Sequence, residues 1–507
     1  MTKNENAVWS SPTPLFDLTG QDEMPYADAV KKHAEQNKIN LMVPGHSGSN
    51  EAGAHAIADY FGDRIAALDI PLMIEGIDLG SESPMMQARR LAAAAWGAHK
   101  TWFLSNGASQ ANRTAAIAVA GLGKNVIMQR SSHSSFIDGV LAAGLKPSFI
   151  SPSVDYKNGA SHGVTPQALE EQLAAADEPV AAVYVVSPSY FGATADVAGI
   201  AEVAHRYGAA LIVDGAWGPH FGFHEKLPES PVRLGADIVI SSTHKLAGSL
   251  TQSAMLHLGK SEFTERLLPY MERAFSMTSS TSQSAILSVS LDIARHTLVN
   301  GRANIGKSIE IANDLRDRIR LHPHLAVLDD TFKEFDDIVA TDPLRVAIDV
   351  SALAHDGHWV RGYLQTEHNI FFEMSTSTVI VAVIGAGARP SVERIMAALD
   401  DVVHAAGLRD GAHISEQFPE LPAPSELVML PRDAYFAEIE LVSAAEAVGR
   451  ISADSLAAYP PGIPNVLPGE IISKDLVEFL SAVATSPTGY VRGAHDSVVS
   501  KYRVVKR

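Results

Sequence analysis

The chain has 507 residues, of which 46% are hydrophobic and 19% charged, so it can bury a large core and does not have the composition of a disordered protein. Its formal net charge of -18, together with the lack of a long basic run, argues against nucleic-acid binding. It contains no cysteine, which excludes disulfides and thiolate metal ligands, and we predict no metal site.

The N-terminus and the apolar runs predict a cytoplasmic protein. Residues 1–6 are polar and have no apolar stretch behind a basic head, so we expect no signal peptide. The longest apolar runs, such as residues 379–384, fall well short of the ~20 residues that a transmembrane helix needs. We therefore expect a soluble protein without a membrane partner.

Between residues 95 and 260, short β-branched runs alternate with alanine-rich stretches of helical pattern. The expected helices cover residues 108–120, 134–143, 165–175 and 197–207. The expected strands cover residues 125–128, 146–150, 182–186, 210–213 and 236–240. Strands that are apolar on both faces, joined by helices of about three turns, indicate a mostly parallel sheet covered by helices on both sides.

The pattern changes after residue 285. Long helices are expected at 287–300 and 304–321, followed by strands at 346–349 and 379–383, a helix at 391–406, a linker at 408–424 and a helix at about 436–448. We therefore predict an α/β protein with four parts. These are an N-terminal segment (1–75), a large domain (76–322), a small α/β domain (323–412) and a C-terminal domain (425–507).

Lys245 is the first candidate for chemistry. It follows the apolar run 236–240 within Ser-Ser-Thr-His-Lys. A lysine amine normally has a pKa of about 10.4 and lies in water. A lysine that a core strand delivers among small hydroxylated residues suits Schiff-base chemistry next to a bound phosphate. The alternative is a surface lysine in a serine-rich loop, and this run alone does not separate the two.

Three other predicted strand ends carry polar residues. The turn at residues 106–110 precedes a helix, where unpaired backbone N–H groups can bind phosphate or simply begin the helix. His133 could stack on a planar cofactor or be an ordinary loop histidine. Asp214 ends a buried strand and needs a cationic or hydrogen-bonding partner, such as a protonated pyridine nitrogen, unless it caps a turn. Ligands of such sheets collect at strand carboxyl ends, so Asp214 and Lys245 could face one cofactor.

Together these stretches resemble the bacterial ornithine/lysine/arginine decarboxylases, pyridoxal-phosphate enzymes with an aspartate-aminotransferase-like fold. The signature Ser-x-His-Lys…Gly-Ser-x-Thr-Gln matches residues 242–252, and Tyr-Pro-Pro-Gly-Ile-Pro matches residues 459–464. The resemblance extends from about residue 40 to 475. Other matching stretches are 44–46, 106–109, 187–192, 281–282 and 468–470.

The resemblance implies a role for each matching residue. Lys245 would form the Schiff base with pyridoxal 5'-phosphate, Asp214 would pair with the pyridine nitrogen, and His133 would stack on the ring. Further cofactor contacts are implied for Gly107, Ala108, Ser109, Ala216, Ser242 and His244, with Thr281 or Ser282 contributed by a neighbouring subunit. The protein would therefore be a homodimer or a larger homo-oligomer.

The distal cation of a basic amino acid needs a carboxylate. Glu470, which follows a proline-rich turn, is the first candidate, and capping of the helix near Ser473 is the alternative. Weaker candidates are Asp69, Asp78 and Glu82. Trp217 is the other predicted substrate residue. Trp217 follows Asp-Gly-Ala, at a place where many short members of the family have Asp-Glu-Ala-His. A tryptophan at this place is similar to the long acid-inducible members. Those members also carry an N-terminal wing domain, for which we expect no room in this chain.

The resemblance implies decarboxylation of arginine, lysine or ornithine to agmatine, cadaverine or putrescine and carbon dioxide, a step in polyamine formation. Arginine or lysine is favoured. Two alternatives remain at this point. One is another reaction on the same cofactor, such as transamination, in which Arg389 would hold the substrate carboxylate. The other is a non-catalytic homologue.

Overall fold

The structure is a computed structural model that describes residues 19–36, 38–49, 55–409, 421–459, 463–486 and 489–507. Most of the predicted linker 408–424 and part of the 459–464 motif lie outside these residues. The N-terminal segment is anchored to the large domain, because the Asp292 carboxylate accepts hydrogen bonds from the backbone N–H groups of Tyr26 and Ala27 at 3.0 and 3.2 Å. The helices before residue 100 are α1 (Pro25–Ala34), α2 (His55–Phe61), α3 (Ile65–Leu68) and α4 (Pro84–Trp96).

The large domain is built on one sheet. Its elements, with the helices that lead to the next domain, are β1 (Lys100–Leu104), α5 (Gly107–Val119), β2 (Asn125–Gln129), α6 (Ser134–Ala143), β3 (Lys146–Ile150), β4 (Val154–Asp155), β5 (Ala160–Ser161), α7 (Pro166–Ala174), β6 (Ala182–Val186), β7 (Ala193–Thr194), α8 (Val197–Arg206), β8 (Ala210–Asp214), β9 (Ile238–Ser241), β10 (Ala254–Leu258), α9 (Thr264–Thr278), α10 (Ala285–Asn300) and α11 (Arg302–Leu321). The sheet order is β1-β10-β9-β8-β6-β2-β3. The neighbours from β9 to β3 are parallel, and β10 pairs antiparallel with both β9 and β1.

The central strands are buried on both faces because successive side chains point to opposite sides of the sheet. Along β8, Ile212 packs into one core beside α5 and α6, whereas Leu211 and Val213 pack into a second core beside α7 and α8. Each such side chain contributes about 1.5–3 kcal/mol on burial. The predicted α/β class and the mostly parallel sheet are confirmed. The predicted elements between residues 95 and 260 are present with ends shifted by at most two residues.

A second sheet forms the small domain, all of whose strand pairs are antiparallel, in the order β11-β13-β15-β14. The separate short pair of β12 with β7 joins this domain to the large one through Ala340 opposite Thr194. The elements are β11 (Ala326–Val327), a 3₁₀ helix η1 (Leu328–Glu334), β12 (Ala340–Thr341), β13 (Arg345–Asp349), α12 (Gly357–His368), β14 (Met374–Ser375), β15 (Val379–Val383) and α13 (Val392–Ala406).

The C-terminal region corrects one sequence prediction. The helix expected at 436–448 is wrong, because residues 439–443 form a strand that pairs antiparallel with residues 501–505, and only a one-turn helix follows. The pairing partner lies about sixty residues further along the chain, so the local pattern did not contain it. The elements are α14 (Pro431–Phe436), β16 (Ile439–Ser443), α15 (Ala444–Ala447), β17 (Leu456–Tyr459), β18 (Pro464–Val466), α16 (Lys474–Thr485), β19 (Tyr490–Arg492) and β20 (Lys501–Val505).

The division into four parts at the predicted boundaries stays a prediction. Within the described ranges, no helix is both long enough and apolar enough to cross a bilayer.

Candidate active site

The site lies where the parallel strands β8 and β9 end side by side. Asp214, the last residue of β8, stands opposite Ile240 of β9. The chain turns directly after β9, and the backbone N–H of Lys245 donates to the carbonyl oxygen of Ser242 at 2.9 Å. Because both strands run in the same direction, the carboxylate and the amine leave the sheet at the same edge.

A cavity of about 210 Å³ opens at this edge. Most of the residues predicted from the sequence line it. The predicted lining residues are Gly107, Ala108, Ser109, His133, Asp214, Ala216, Trp217, Ser242, His244 and Lys245, and they are joined by Asn112, Ser131, Val186 and Tyr190.

Asp214 is buried and held by three donors. Its Oδ2 accepts hydrogen bonds from Asn112 Nδ2 at 3.0 Å and from Tyr184 Oη at 2.7 Å. Its Oδ1 accepts the backbone N–H of Ala216 at 3.0 Å. Tyr184 is itself rigid, because its ring stacks on Phe136 with centroids 3.8 Å apart. Burial and the neighbouring Asp214 raise the pKa of Tyr184 well above its usual value, so this hydroxyl stays a donor. Donors on both oxygens fix the orientation of the carboxylate.

Lys245 presents its amine to an aromatic wall. The Nζ atom lies 3.5 Å from the centroid of the Trp217 ring. Burial lowers the pKa of Lys245 to about 8, Asp214 and Glu373 act in the raising direction, and Arg345 acts in the lowering direction. The neutral amine, which is the form that attacks an aldehyde, is therefore far more populated near physiological pH than it is in an ordinary lysine.

His133 precedes α6 and acts as its N-cap residue. Its Nδ1 accepts the backbone N–H of Ser135 at 3.2 Å and lies 2.7 Å from the hydroxyl of the same serine. A nitrogen that accepts a backbone N–H carries no proton, so the neutral ring is protonated on Nε2. Desolvation lowers the pKa of His133, Asp214 opposes this, and Lys245 and Arg492 add to it. The ring is therefore neutral and fixed in orientation at the cavity wall.

The first turn of α5 faces the same cavity. Gly107 opens this helix with φ of +73°, a backbone conformation that favours glycine. The preceding Asn106 forms no side-chain cap, so its side chain leaves the first N–H groups of the helix available. Together with the helix dipole, the backbone N–H groups of Ala108 and Ser109 make this turn a candidate site for a phosphate group.

Two residues on the turn after β9 complete the polar end of the cavity. Nδ1 of His244 lies 3.0 Å from the carbonyl oxygen of Ser253, which can only accept, so Nδ1 carries the proton. The hydroxyl of Ser242 lies 3.4 Å from the same nitrogen. Gln252 then ties this turn to the start of α5, since its Nε2 donates to Asn106 Oδ1 at 3.1 Å. The lysine turn and the candidate phosphate site are thus linked directly.

Glu470 is placed outside the cavity, against our expectation. It is fully buried, and its two oxygens accept from Nη1 and Nη2 of Arg130 at 2.6 and 2.8 Å. One of these oxygens also accepts the backbone N–H of Leu467 at 2.8 Å. Neither the substrate role nor the alternative of capping the helix near Ser473 describes this geometry. The pair instead attaches the C-terminal domain to the loop that carries His133, and a partner 340 residues away is not visible in the local sequence.

The weaker acidic candidates are also engaged locally. Asp69 lies 3.3 Å from His46, Asp78 accepts two backbone N–H groups of the turn before it, and Glu82 pairs with Arg90 at 2.8 Å. Thr281 and Ser282 lie in an exposed turn after α9 and do not line the cavity of their own chain. Their predicted contribution to the site of a neighbouring subunit stays a prediction.

Sequence reasoning missed several residues that shape the site. Asn112 and Tyr184 hold Asp214, and Tyr190 lines the cavity and contacts Trp217 edge to face, with centroids 5.5 Å apart. Asn112 lies five residues after Gly107 in a helix that begins at a candidate phosphate site, which was a usable signal. Tyr184 sits in an apolar strand, and no local signal distinguished it from a core residue.

The residues at this edge fit pyridoxal phosphate by the chemistry of their donors. The phosphate would meet the start of α5 with Ser242 and His244, the pyridine nitrogen would meet Asp214, and the aldehyde would meet Lys245. A cavity lined by one carboxylate, one amine, two imidazoles and an open helix N-terminus matches each functional group of that cofactor.

Comparison with known proteins gives the family. The model described as Orn/Lys/Arg decarboxylase, major domain, matches residues 24–390, and the model of the C-terminal domain matches residues 412–490. The arginine decarboxylase of Bacillus anthracis is 34% identical over 493 residues, and that of Bacillus subtilis (strain 168) is 33% identical over 496 residues. Each alignment covers 96% of this chain and 98% of the relative.

A solved structure shows the same fold. The constitutive lysine decarboxylase of Escherichia coli superposes with a TM-score of 0.78 at 19% identity, covering 96% of this chain and 82% of that one. The predicted fold class, an aspartate-aminotransferase-like α/β fold, is confirmed. Since the family model matches most of the chain and relatives one-third identical align along nearly all of it, the chain belongs to the Orn/Lys/Arg decarboxylase family and is a decarboxylase.

Proposed function

We propose that this chain uses pyridoxal phosphate to decarboxylate a basic amino acid, with arginine as the first candidate and agmatine as its product. One observation carries the proposal. A buried, triply hydrogen-bonded Asp214 and a Lys245 amine of lowered pKa face one cavity beside an open helix N-terminus. Bound pyridoxal phosphate would supply an electron sink for the electron pair that remains when carbon dioxide leaves.

The protein's own residues would perform four tasks. Asp214 would pair with the pyridine nitrogen, because the hydrogen bonds from Asn112 and Tyr184 hold its carboxylate in place. The neutral His133 would lie against the planar ring of the cofactor. Lys245 would provide the amine that holds the aldehyde group. The first turn of α5 fixes the phosphate, so the reacting bond keeps its orientation.

Arginine is preferred among the three substrates because arginine decarboxylases are the relatives one-third identical to this chain, whereas the lysine decarboxylase structure at 19% identity supports the fold alone. The distal guanidinium of arginine needs an anionic partner. Two carboxylates act electrostatically on Lys245, namely Asp214 and Glu373. Asp214 is committed to the cofactor, whereas Glu373 is exposed, and its carboxylate has no hydrogen bond or ion pair with the described residues. We therefore assign recognition of the distal cation to Glu373.

Transamination is the weaker candidate. It was expected to use Arg389 for the substrate carboxylate. The guanidinium of Arg389 is exposed, donates to Asn304 Oδ1 at 2.6 Å and does not line the cavity. No observation favours a non-catalytic homologue, since Lys245, Asp214 and His133 all face the cavity.

We also propose a homodimer as the minimal assembly, in which the exposed turn of Thr281 and Ser282 would reach the phosphate end of the neighbouring site. Sedimentation at enzyme concentrations used for activity tests this assembly. A monomer with full activity would contradict it.

The deciding experiment measures carbon dioxide and amine released from arginine, lysine and ornithine by the purified protein with pyridoxal phosphate. We expect release from arginine to exceed that from the other two. Keto-acid formation without carbon dioxide would support transamination instead, and no cofactor absorbance would support the non-catalytic alternative.

A further inference from the structure

Arg345, the first residue of β13, is a buried cation with unused hydrogen-bond donors. Its side chain has 0% exposure, and Nε, Nη1 and Nη2 form no hydrogen bond with any described residue. The ion pair recorded for it is long, with Asp342 Oδ2 lying 4.0 Å from Nε. The other oxygen of Asp342 is occupied by His220 at 3.0 Å and the backbone N–H of Leu344 at 2.9 Å. Burying a charge without a strong partner costs free energy, so a buried arginine with unused donors suggests a function at this position.

The guanidinium instead packs against the indole ring of Trp217, a residue of the cavity lining. Its Cζ lies 4.2 Å from the centroid of the Trp217 ring, the same ring that Lys245 Nζ approaches to 3.5 Å. Trp217 lines the cavity and Arg345 does not. The close approach depends on Gly192, where a Cβ would lie 2.9 Å from Arg345 Cβ. One indole ring therefore contacts the cofactor lysine of the large domain and a buried cation of the small domain.

We propose that Arg345 is a positioning residue for Lys245 that acts through the indole ring of Trp217. The proposal deepens the proposed function and rests on it, since it assigns a task to a residue beside the reactive lysine. A planar guanidinium stacks on an aromatic face and fixes the orientation of the ring. The ring in turn is the surface against which the Lys245 side chain lies.

The charge of Arg345 has a second consequence for the lysine. Two cations close to one ring repel each other, so the guanidinium favours the neutral form of the Lys245 amine. Among the described residues, the charged or titratable groups around the amine include Asp214 at the end of β8, Glu373 ahead of β14, His133 ahead of α6 and Arg345 on β13, and Tyr190 and His244 also line the cavity. The two carboxylates favour the protonated amine, and Arg345 opposes them. The neutral His133 exerts little electrostatic force on the amine.

The test compares Arg345→Met, which removes the charge at similar length, with Arg345→Lys, which keeps the charge. The readout is the pH midpoint of the absorbance change of the bound cofactor, measured on holoenzyme without substrate. Removing a nearby positive charge stabilises the protonated form of the Lys245 nitrogen, so we expect Arg345→Met to raise the midpoint by about one pH unit. Arg345→Lys should leave the midpoint within about 0.3 pH units of that of the unmodified protein. An unchanged midpoint in a folded Arg345→Met protein overturns the proposal.

A double-mutant cycle with Trp217→Phe tests whether Arg345 acts on Lys245 through the indole ring. If Arg345 acts through the indole, the effects of Arg345→Met and Trp217→Phe on the midpoint are not additive, whereas additive effects contradict that route. Should Arg345→Met fail to fold, Arg345→Gln takes its place.

A cofactor-free measurement separates this proposal from the proposed function. The pH dependence of Lys245 labelling by acetic anhydride, read by peptide mass spectrometry, reports the same shift in protein without cofactor. Loss of carbon dioxide release from every basic amino acid would refute the proposed function and leave this readout intact. An unchanged labelling profile in the variant would refute the role of Arg345 alone.

Discussion

Asp214 and Lys245 leave adjacent parallel strands at the same edge of the large sheet, Asp214 opposite Ile240 in the ladder and Lys245 five residues beyond Ile240. This relationship places a carboxylate and an amine on two sides of one cavity. Topology thus produces this pairing, because neighbouring parallel strands deliver their carboxyl ends to the same edge of a sheet.

Lys245→Ala should abolish turnover and leave pyridoxal phosphate only weakly bound, since no other lysine of the described ranges lines the cavity. Carbon dioxide release and the near-visible absorbance after addition of cofactor measure both effects. Lys260→Ala, at an exposed lysine just after β10, is the matched control and should behave as the unmodified protein. Decarboxylation retained by the Lys245 variant would contradict the assignment.

Asp214→Asn should reduce kcat by about 10²–10³-fold with little loss of folded protein, because the amide cannot hold a proton on the pyridine nitrogen. Tyr184→Phe removes one of the donors to Asp214 and should cost less, about 10-fold. Steady-state kinetics on both variants compare the two reductions in kcat. A larger effect at Tyr184 than at Asp214 would be inconsistent with the carboxylate as the functional group.

Cofactor capture should depend on pH through Lys245. Burial lowers the pKa of this amine to about 8, so the neutral form dominates only above that pH. The attacking form is the neutral amine, and the capture rate should therefore rise about tenfold per pH unit below the pKa and level off above it. Stopped-flow absorbance after mixing protein with pyridoxal phosphate gives the profile. A rate that keeps rising to about pH 10 would indicate an ordinary lysine.

Glu373→Gln should raise the KM for arginine by about five- to tenfold, ~1 kcal/mol, with a smaller change in kcat, because an exposed carboxylate contributes a modest attraction to the distal cation. Glu334→Gln, at an exposed acidic residue of η1, controls for the loss of one negative charge. Equal KM values for the two variants would remove Glu373 from substrate recognition.

Glu470→Ala should lower the free energy of unfolding by about 3–5 kcal/mol, because it removes the carboxylate that neutralises the buried Arg130 guanidinium. Glu478→Ala breaks an exposed pair with Lys474 in the same domain and should cost about 0.3–0.5 kcal/mol. Denaturant unfolding followed by circular dichroism compares them. A Glu470 variant of normal stability but strongly raised KM would restore the substrate role that we expected from the sequence.

Much of the fold was predictable because its signals are local. Strands such as 182–186 and 210–213 are continuous apolar runs bounded by turns, and they form within one residue of the predicted ends. The helix expected at 436–448 fails for the opposite reason, since β16 exists through its pairing with β20. β10 was not predicted either, and it turns one edge of the sheet antiparallel.

The sequence by itself determined the chemistry of this protein, because the reactive groups lie in short motifs. The run around Lys245, the strand-end Asp214, His133 and the turn at Gly107 each carry their residue types locally, and adjacency of strand ends brings them together. Only the tertiary structure decided which side chains support them. Asn112 meets Asp214 across 102 residues, Arg130 meets Glu470 across 340, and Arg345 meets Trp217 between two domains. Such contacts depend on how helices and sheets pack, and no local pattern encodes that packing.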